Sequence, residues 1–141
     1  MSDEWYTPKS VFDGLGIIFD LDVAAPIESI DHVPAQNRYT INDNALHKPW
    51  FGRVWMNPPY SKPTPWIDKF IAHGNGIALL PMAKSKWFNN LMDSDLSFIM
   101  LDPNIKFERP YNVKMNHMMA STLWAIGDSN IKAISQLGKV R

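Results

Sequence analysis

The sequence predicts an α/β protein: one layered domain over residues 1–141, a sheet with flanking helices. Three observations predict it. Five short apolar runs, residues 17–23, 53–56, 77–81, 97–101 and 120–126, have the length and composition of buried strands. Between them lie stretches whose apolar residues recur at helical spacing, and strands interleaved with helices pack as layers. Turn residues punctuate the boundaries, as at Gly74-Asn75-Gly76 and Asp102-Pro103-Asn104.

The elements follow in order. Thr7 and Pro8 read as a helix start, Thr7 as the N-cap and Pro8 at the first helical position. Val11, Phe12 and Leu15 give that helix one apolar face, and Gly14 and Gly16 end it. Residues 17–23 form a strand, continuous and then alternating, until Ala24-Ala25-Pro26 breaks it. Residues 28–48 are polar and weakly periodic, with a short strand expected at Tyr39, Thr40 and Ile41 and a turn or helical turn from Asn42 to His47. The strand at 53–56 leads into a loop stiffened by Pro58, Pro59, Pro63 and Pro65. Trp66, Ile67, Phe70 and Ile71 follow helical spacing up to His73. After the strand at 77–81, Ser85 is placed to cap a helix carrying Trp87, Phe88, Leu91 and Met92. The strands at 97–101 and 120–126 follow, and Asn130 is placed to cap a C-terminal helix with Ile131, Ile134 and Leu137.

Composition excludes several classes. No apolar run approaches the ~20 residues that span a bilayer, so no membrane partner is expected. No basic, then apolar, then small-residue start is visible, so no secretory leader is expected. The chain has no cysteine, which removes disulfides, thiolate zinc sites and cysteine nucleophiles and fits a cytoplasmic location. Its four histidines (32, 47, 73 and 117) are scattered, and no metal site is expected. A phosphate-binding glycine loop is missing, against a dinucleotide or nucleoside-triphosphate enzyme. With 14 basic and 14 acidic residues the formal charge is zero. Nucleic-acid binders usually carry excess positive charge, so any such footprint must be a local patch. Lys62, Lys84, Lys86, Lys106, Arg109 and Lys114 all lie after residue 57, whereas Asp3, Glu4, Asp13, Asp20, Asp22, Glu28, Asp31 and Asp43 precede it. A solvated charged face is the plain alternative for the lysines.

The most informative residues are Asn57-Pro58-Pro59-Tyr60, directly after the strand at 53–56. Asn-Pro and Pro-Pro are ordinary turn residues. A polar Asn at the carboxyl end of a buried strand is less ordinary, because that edge of an α/β sheet is where ligands bind. The signature resembles the catalytic loop of S-adenosylmethionine-dependent methyltransferases acting on planar amino or amide nitrogens. The exocyclic amine of adenine is a poor nucleophile because its lone pair is delocalised into the ring. The Asn57 side-chain oxygen and the Pro58 carbonyl can each accept one of its N–H groups, which is positioning and local electrostatics rather than acid–base catalysis. Pro59 keeps Pro58 extended. Tyr60 offers a face on which a flipped base can stack.

Five landmarks in one order extend the resemblance over most of the chain: Trp5-Tyr6-Thr7-Pro8, Asp22-Val23-Ala24-Ala25, Asn57-Pro58-Pro59-Tyr60-Ser61, Leu79-Leu80-Pro81 and Trp87-Phe88. Together they resemble the small phage-encoded DNA N6-adenine methyltransferases of Dam type. The resemblance implies a reduced Rossmann-like methyltransferase sheet, S-adenosylmethionine as donor, adenine in DNA as acceptor, and action in the cytoplasm of a bacterial host. It implies that Tyr6, Thr7, Asp22 and Ala24 meet the cofactor. The Thr7 hydroxyl would hold its methionine end, unless it is a simple helix cap, and the Asp22 carboxylate would pair with its ammonium, with Asp20 as the alternate. Asp43 falls where an acid approaches the adenine end or the active-site floor, or else forms an Asn-Asp turn. Lys62 and Lys86, with Asp43, fall on the DNA side. Trp87 and Phe88 fit a DNA-facing rim or, more simply, the core.

The chain departs from that pattern in two ways. Asn104 stands where the family usually has an Arg. Only 34 residues separate Asp22 from Asn57, where a full methyltransferase sheet places two strand–helix units of roughly 15–20 residues each. At most one reduced unit fits, and no clear acid is left to grip a ribose. A partner chain, a homo-oligomer included, is then one way to complete the pocket. About 15 residues follow the last strand, too few for a separate target-recognition domain. Two other readings stay open: methylation of a protein glutamine or an RNA base, and a degenerate, non-catalytic fold that binds DNA or a host protein.

Overall fold

The structure is a computed structural model that describes residues 6–28, 32–109, 113–116 and 120–141, with backbone alone for 106–109 and 113–116. Its strands are β1 (Leu21–Asp22), β2 (Val54–Met56), β3 (Gly76–Pro81), β4 (Ser97–Met100), β5 (Lys106–Arg109), β6 (Val113–Asn116) and β7 (Ser121–Ile126). Five of them form one sheet in the order β1-β2-β3-β7-β4. β1, β2 and β3 are mutually parallel, and β7 runs antiparallel to both β3 and β4. β1 to β4 therefore all point one way, and β7 lies reversed between β3 and β4.

Side chains alternate across a strand, and both faces of this sheet are covered. Ile77, Leu79, Ile99, Leu123 and Ala125 pack with Val11, Phe12 and Leu15 of α1 (Lys9–Leu15) and with Ala133 and Ile134 of α4 (Asp128–Ile134). Ala78, Leu80, Phe98 and Trp124 pack on the other face with Ile67 and Phe70 of α2 (Thr64–His73) and with Phe88 and Leu91 of α3 (Lys86–Met92). Burial on both faces is why β3 is apolar throughout instead of alternating. Ile71 and Met92, expected on the inner faces of α2 and α3, are exposed. Among the described residues no helix is long and apolar enough to cross a membrane.

The crossover from β1 to β2 differs most from expectation. The strand expected over 17–23 is reduced to Leu21–Asp22, with an isolated bridge from Phe19 to Ala35 and another from Asp22 to Arg38. The outer edge of β1 is nonetheless satisfied. Phe19 N–H donates to Pro34 O (2.9 Å), Asp22 N–H to Asn37 O (2.9 Å), Tyr39 N–H to Asp22 O (2.9 Å) and Ala25 N–H to Tyr39 O (2.8 Å). Pairing thus stops near Tyr39, and the strand expected at Tyr39, Thr40 and Ile41 does not extend beyond it. Ile41 instead opens a 3-10 turn (Ile41–Asp43), followed by another (Ala45–His47), within the helical turn expected from Asn42 to His47. Thr40 caps the first turn. Its Oγ1 accepts from Asn42 N–H, and the Asp43 carboxylate accepts from Thr40 N–H at 2.7 Å, a closed capping box.

α2 holds this loop down. The Trp50 indole N–H donates to Ala45 O at 3.0 Å, and its ring lies 6.3 Å from both Trp66 and His73. The Lys69 ammonium donates to Leu46 O (3.0 Å) and Lys48 O (2.5 Å) and sits 5.3 Å from the Trp50 ring. Backbone carbonyls that a regular crossover would pair internally are met here by a side chain.

Three caps differ from expectation. Pro8, not Thr7, is the N-cap of α1. Ser85 is at the N-cap of α3, but its hydroxyl makes no capping bond. Asn130 lies inside α4, whose N-cap is Gly127. It is buried, and its Nδ2 donates to Asn75 Oδ1 (2.8 Å) and Ile126 O (2.7 Å), tying α4 to the turn before β3. β5 and β6 form a separate two-stranded sheet that was not expected from the sequence. It is inserted between β4 and β7, so it leaves the sheet from the edge at which β1, β2 and β3 also end.

Gly76 permits the close approach of β2 to β3. A Cβ there would stand 2.4 Å from Val54 O and 2.6 Å from Val54 Cγ2. Gly76→Ala should push the two strands apart and lower stability by about 1–3 kcal/mol, measured by urea unfolding. An unchanged midpoint would contradict this packing.

Candidate active site

Because β1 and β2 are parallel neighbours, their carboxyl ends meet at one edge of the sheet. Asp22 lies opposite Trp55 in the register, so Asn57 follows the end of β2 one strand away from Asp22. A cavity of about 550 Å³ opens there. Of the cofactor residues expected from sequence, Tyr6, Thr7, Asp22 and Ala24 all line it. Of the catalytic loop, Asn57 and Pro59 line it and Pro58 and Tyr60 do not. Trp5, part of the first landmark, lies outside the described residues.

The polar groups in the wall are few. Asp22 is 1% exposed, and its Oδ1 accepts from Ala24 N–H at 3.2 Å. The alternate candidate, Asp20, is turned elsewhere: its Oδ2 accepts from Arg53 N–H at 2.8 Å and fixes the start of β2. Thr7 is also buried, and its Oγ1 has no hydrogen-bond partner among the described residues. A buried hydroxyl without a partner costs free energy, and this one belongs to a cavity wall. Apolar residues make up most of the remainder: Ile27, Ile41, Leu46, Trp55 and Trp66. Asn44 lines the cavity too, and it is the one non-glycine residue of positive φ (54°) among those described.

In the loop after β2, the Tyr60 hydroxyl donates to Asn57 Oδ1 at 2.7 Å, with both side chains partly buried. The expectation had been a bare aromatic face. Lys62 N–H reaches back to Pro59 O (3.4 Å). The Lys62 and Lys86 side chains are exposed and outside the cavity. Asp43 is outside it as well. Its carboxylate is held by Thr40, while its neighbours in the turns, Ile41 and Asn44, face the cavity. Phe88 is buried and Trp87 partly buried, their rings edge to face at 5.6 Å, which is a core role.

Sequence reasoning missed the far wall. Leu46 and Trp66 come from a loop and a helix that meet through Trp50 and Lys69, and no local pattern in either segment announces a cavity. Among the described residues no three His, Asp or Glu side chains gather as a metal site. The arrangement is a largely apolar cleft with one buried carboxylate, the unpartnered Thr7 hydroxyl and the non-titrating carboxamides of Asn44 and Asn57. It suits an organic ligand with a cationic group and an apolar body, presented to a hydrogen-bonding acceptor.

Comparison with known proteins gives the family likeness. A family model described as DNA N-6-adenine-methyltransferase (Dam) matches residues 1–126. The chain is 33% identical over 114 residues to a DNA N-6-adenine-methyltransferase of Escherichia phage T1, covering 73% of this chain and 46% of the relative. It is 35% identical over 99 residues to a DNA N-6-adenine-methyltransferase of Haemophilus phage HP1, covering 62% and 55%. It thus spans about half the length of these curated relatives. No solved structure matches it.

Thr7→Val tests the unpartnered hydroxyl. The shape is kept and no protein hydrogen bond is lost, so the variant should unfold at the same urea concentration as the parent or slightly higher. A loss of more than about 1 kcal/mol would mean that the hydroxyl has a partner within the protein.

Proposed function

The chain belongs to the DNA N-6-adenine-methyltransferase (Dam) family, and from that premise we propose that it transfers a methyl group from S-adenosylmethionine to the exocyclic N6 of adenine in DNA. One observation carries the reading: the Asn57 carboxamide and the buried Asp22 carboxylate, from adjacent parallel strand ends, line the same cavity. On this reading the sheet is a reduced Rossmann-like methyltransferase sheet. Four strands pointing one way, with the cavity at the carboxyl ends of β1 and β2, support it.

The residues fit the cofactor. Ligand pockets of roughly 300–1,000 Å³ hold molecules of this size, and this cavity is within that range. Asp22 supplies the negative charge for the ammonium of the methionine moiety. Thr7 Oγ1, otherwise unpartnered, supplies a hydrogen bond to the same end, beside Tyr6 and Ala24. Ile27, Ile41 and Leu46 offer apolar surface to the adenine ring. When bound, S-adenosylmethionine supplies an electrophilic methyl group on a sulfonium.

The chain's own task is to aim the nucleophile. Asn57 Oδ1 and Pro58 O each accept one N–H of the target amine, which fixes the nitrogen and directs its lone pair. These acceptors are set before the substrate arrives, so they need no reorganisation during reaction. To reach them the adenine must leave the duplex stack, and the aromatic ring of Tyr60 gives it a surface. The DNA would lie across the carboxyl edge of the sheet, where Lys62 and Lys86 are exposed. The β5–β6 hairpin, with Lys106, Arg109 and Lys114 in its sequence, leaves from that edge. Asp43 has a different part: its capping box shapes the loop that walls the cavity, and a carboxylate already bound to Thr40 is a poor contact for phosphate.

Transfer of labelled methyl groups to oligonucleotides with and without adenine tests the reading. Asn57→Ala should lower turnover about 10²–10³-fold, as expected for removal of one preorganised polar group. Near-normal methylation by the variant would sink the mechanism. Binding to duplex DNA should weaken with salt along a shallow log–log slope of about −2 to −4, since a protein neutralising Z phosphates gives about −0.9Z. Replacing Lys62 and Lys86 together by Ala should flatten it further. A slope unmoved by that double substitution would mean that the DNA lies on another face.

A further inference from the structure

The hydrogen bond from Tyr60 to Asn57 bears on a weakness of any asparagine at this position. A primary carboxamide has two ends of similar shape and opposite character, an oxygen that accepts and an NH₂ that donates. Only the oxygen end can receive the N–H of a base amine. Turned by 180° about its last bond, the same side chain would set N–H against N–H. The Tyr60 hydroxyl distinguishes the two orientations. It donates to Asn57 Oδ1 at 2.7 Å, and a phenol is the better donor than acceptor. An sp² oxygen has two lone pairs, so a carboxamide oxygen that accepts from one hydroxyl can also accept from a second donor.

We propose that Tyr60 is a positioning residue whose hydroxyl locks the Asn57 carboxamide with its oxygen end presented to the target amine. This rests on the reading of Asn57 as the acceptor for that amine. It gives Tyr60 two separable tasks: the ring face serves the base, and the hydroxyl serves Asn57.

The test pairs Tyr60→Phe with Asn57→Asp. A carboxylate accepts at both oxygens, so its two orientations are equivalent and the hydroxyl has nothing to sort. In the parent, Tyr60→Phe should lower kcat about 3- to 10-fold, the worth of one net hydrogen bond, and leave the KM for DNA unchanged because the ring remains. In the Asn57→Asp background the same substitution should change kcat by less than about twofold. Tyr60→Ala should raise KM as well. Full kcat in Tyr60→Phe, an equal loss in both backgrounds, or a change in KM alone would overturn the proposal. The Asn57 side-chain amide signals in NMR spectra of the ligand-free protein give a readout independent of turnover. They should shift selectively in Tyr60→Phe, and unchanged signals would overturn the proposal even if Asn57→Asp is inactive. Absence of methyl transfer by the parent protein would instead count against the proposed function, leaving the bond to be judged by the NMR result.

Discussion

Parallel pairing of β1 with β2 brings the two ends of the site together. Asp22 stands opposite Trp55, and both strands run toward the same edge, so a carboxylate ending one and a carboxamide following the other must share whatever opens there. Were β1 antiparallel, its carboxyl end would lie at the opposite edge, a strand's length away. Parallel neighbours cannot be joined by a tight turn and need a crossover. The crossover is therefore where this chain had to solve its main structural problem, and its solution also shapes the cavity.

A regular crossover carries a helix, which pairs its own backbone and packs an apolar stripe on the sheet. Here no α-helix intervenes between β1 and β2 among the described residues. Three devices take its place: backbone pairing of residues 34–39 along β1, a capping box at Thr40 and Asp43, and the clamp of Trp50 and Lys69 onto α2. The result is a loop in place of a layer. Ile41 and Leu46 on that loop become cavity wall, and Ile27 and Ile41 stay largely exposed at its rim. A wall of this kind is apolar, and the polar groups of the cavity include Asp22 and Asn57 at the strand ends and Thr7 just before α1.

What was legible in the sequence follows the same division. β2, β3, β4 and β7 were readable as continuous apolar runs because both faces of each are covered. Asn57 and Asp22 were readable because a polar residue ending such a run is conspicuous. β1 was overextended, since Ile17 and Ile18 lie between the Gly16 cap and the sheet, and the pairing is irregular at Asp20, whose N–H donates to Arg53 O while its carboxylate accepts from Arg53 N–H. Asn130 was misread as a cap because its partner, Asn75, lies 55 positions away. Asp43 was left between a place near the ligand and an Asn-Asp turn, and the structure puts its carboxylate in a local capping box with Thr40. The β5–β6 hairpin was overlooked although Ile105, Phe107, Val113 and Met115 alternate with polar residues, because each strand has only four residues. Leu46 and Trp66 carry no signal at all, because what makes them a wall is the Trp50 contact between separate elements.

One cavity joins Asp22 and Asn57, and on the proposed function it holds the cofactor. Calorimetric titration of S-adenosylhomocysteine into the purified chain and into Asp22→Ala tests it most directly. The account expects saturable one-to-one binding by the parent and affinity at least about tenfold weaker in Asp22→Ala, the loss of one hydrogen-bonded charge pair. No binding by the parent, or equal affinity in the two proteins, would contradict it.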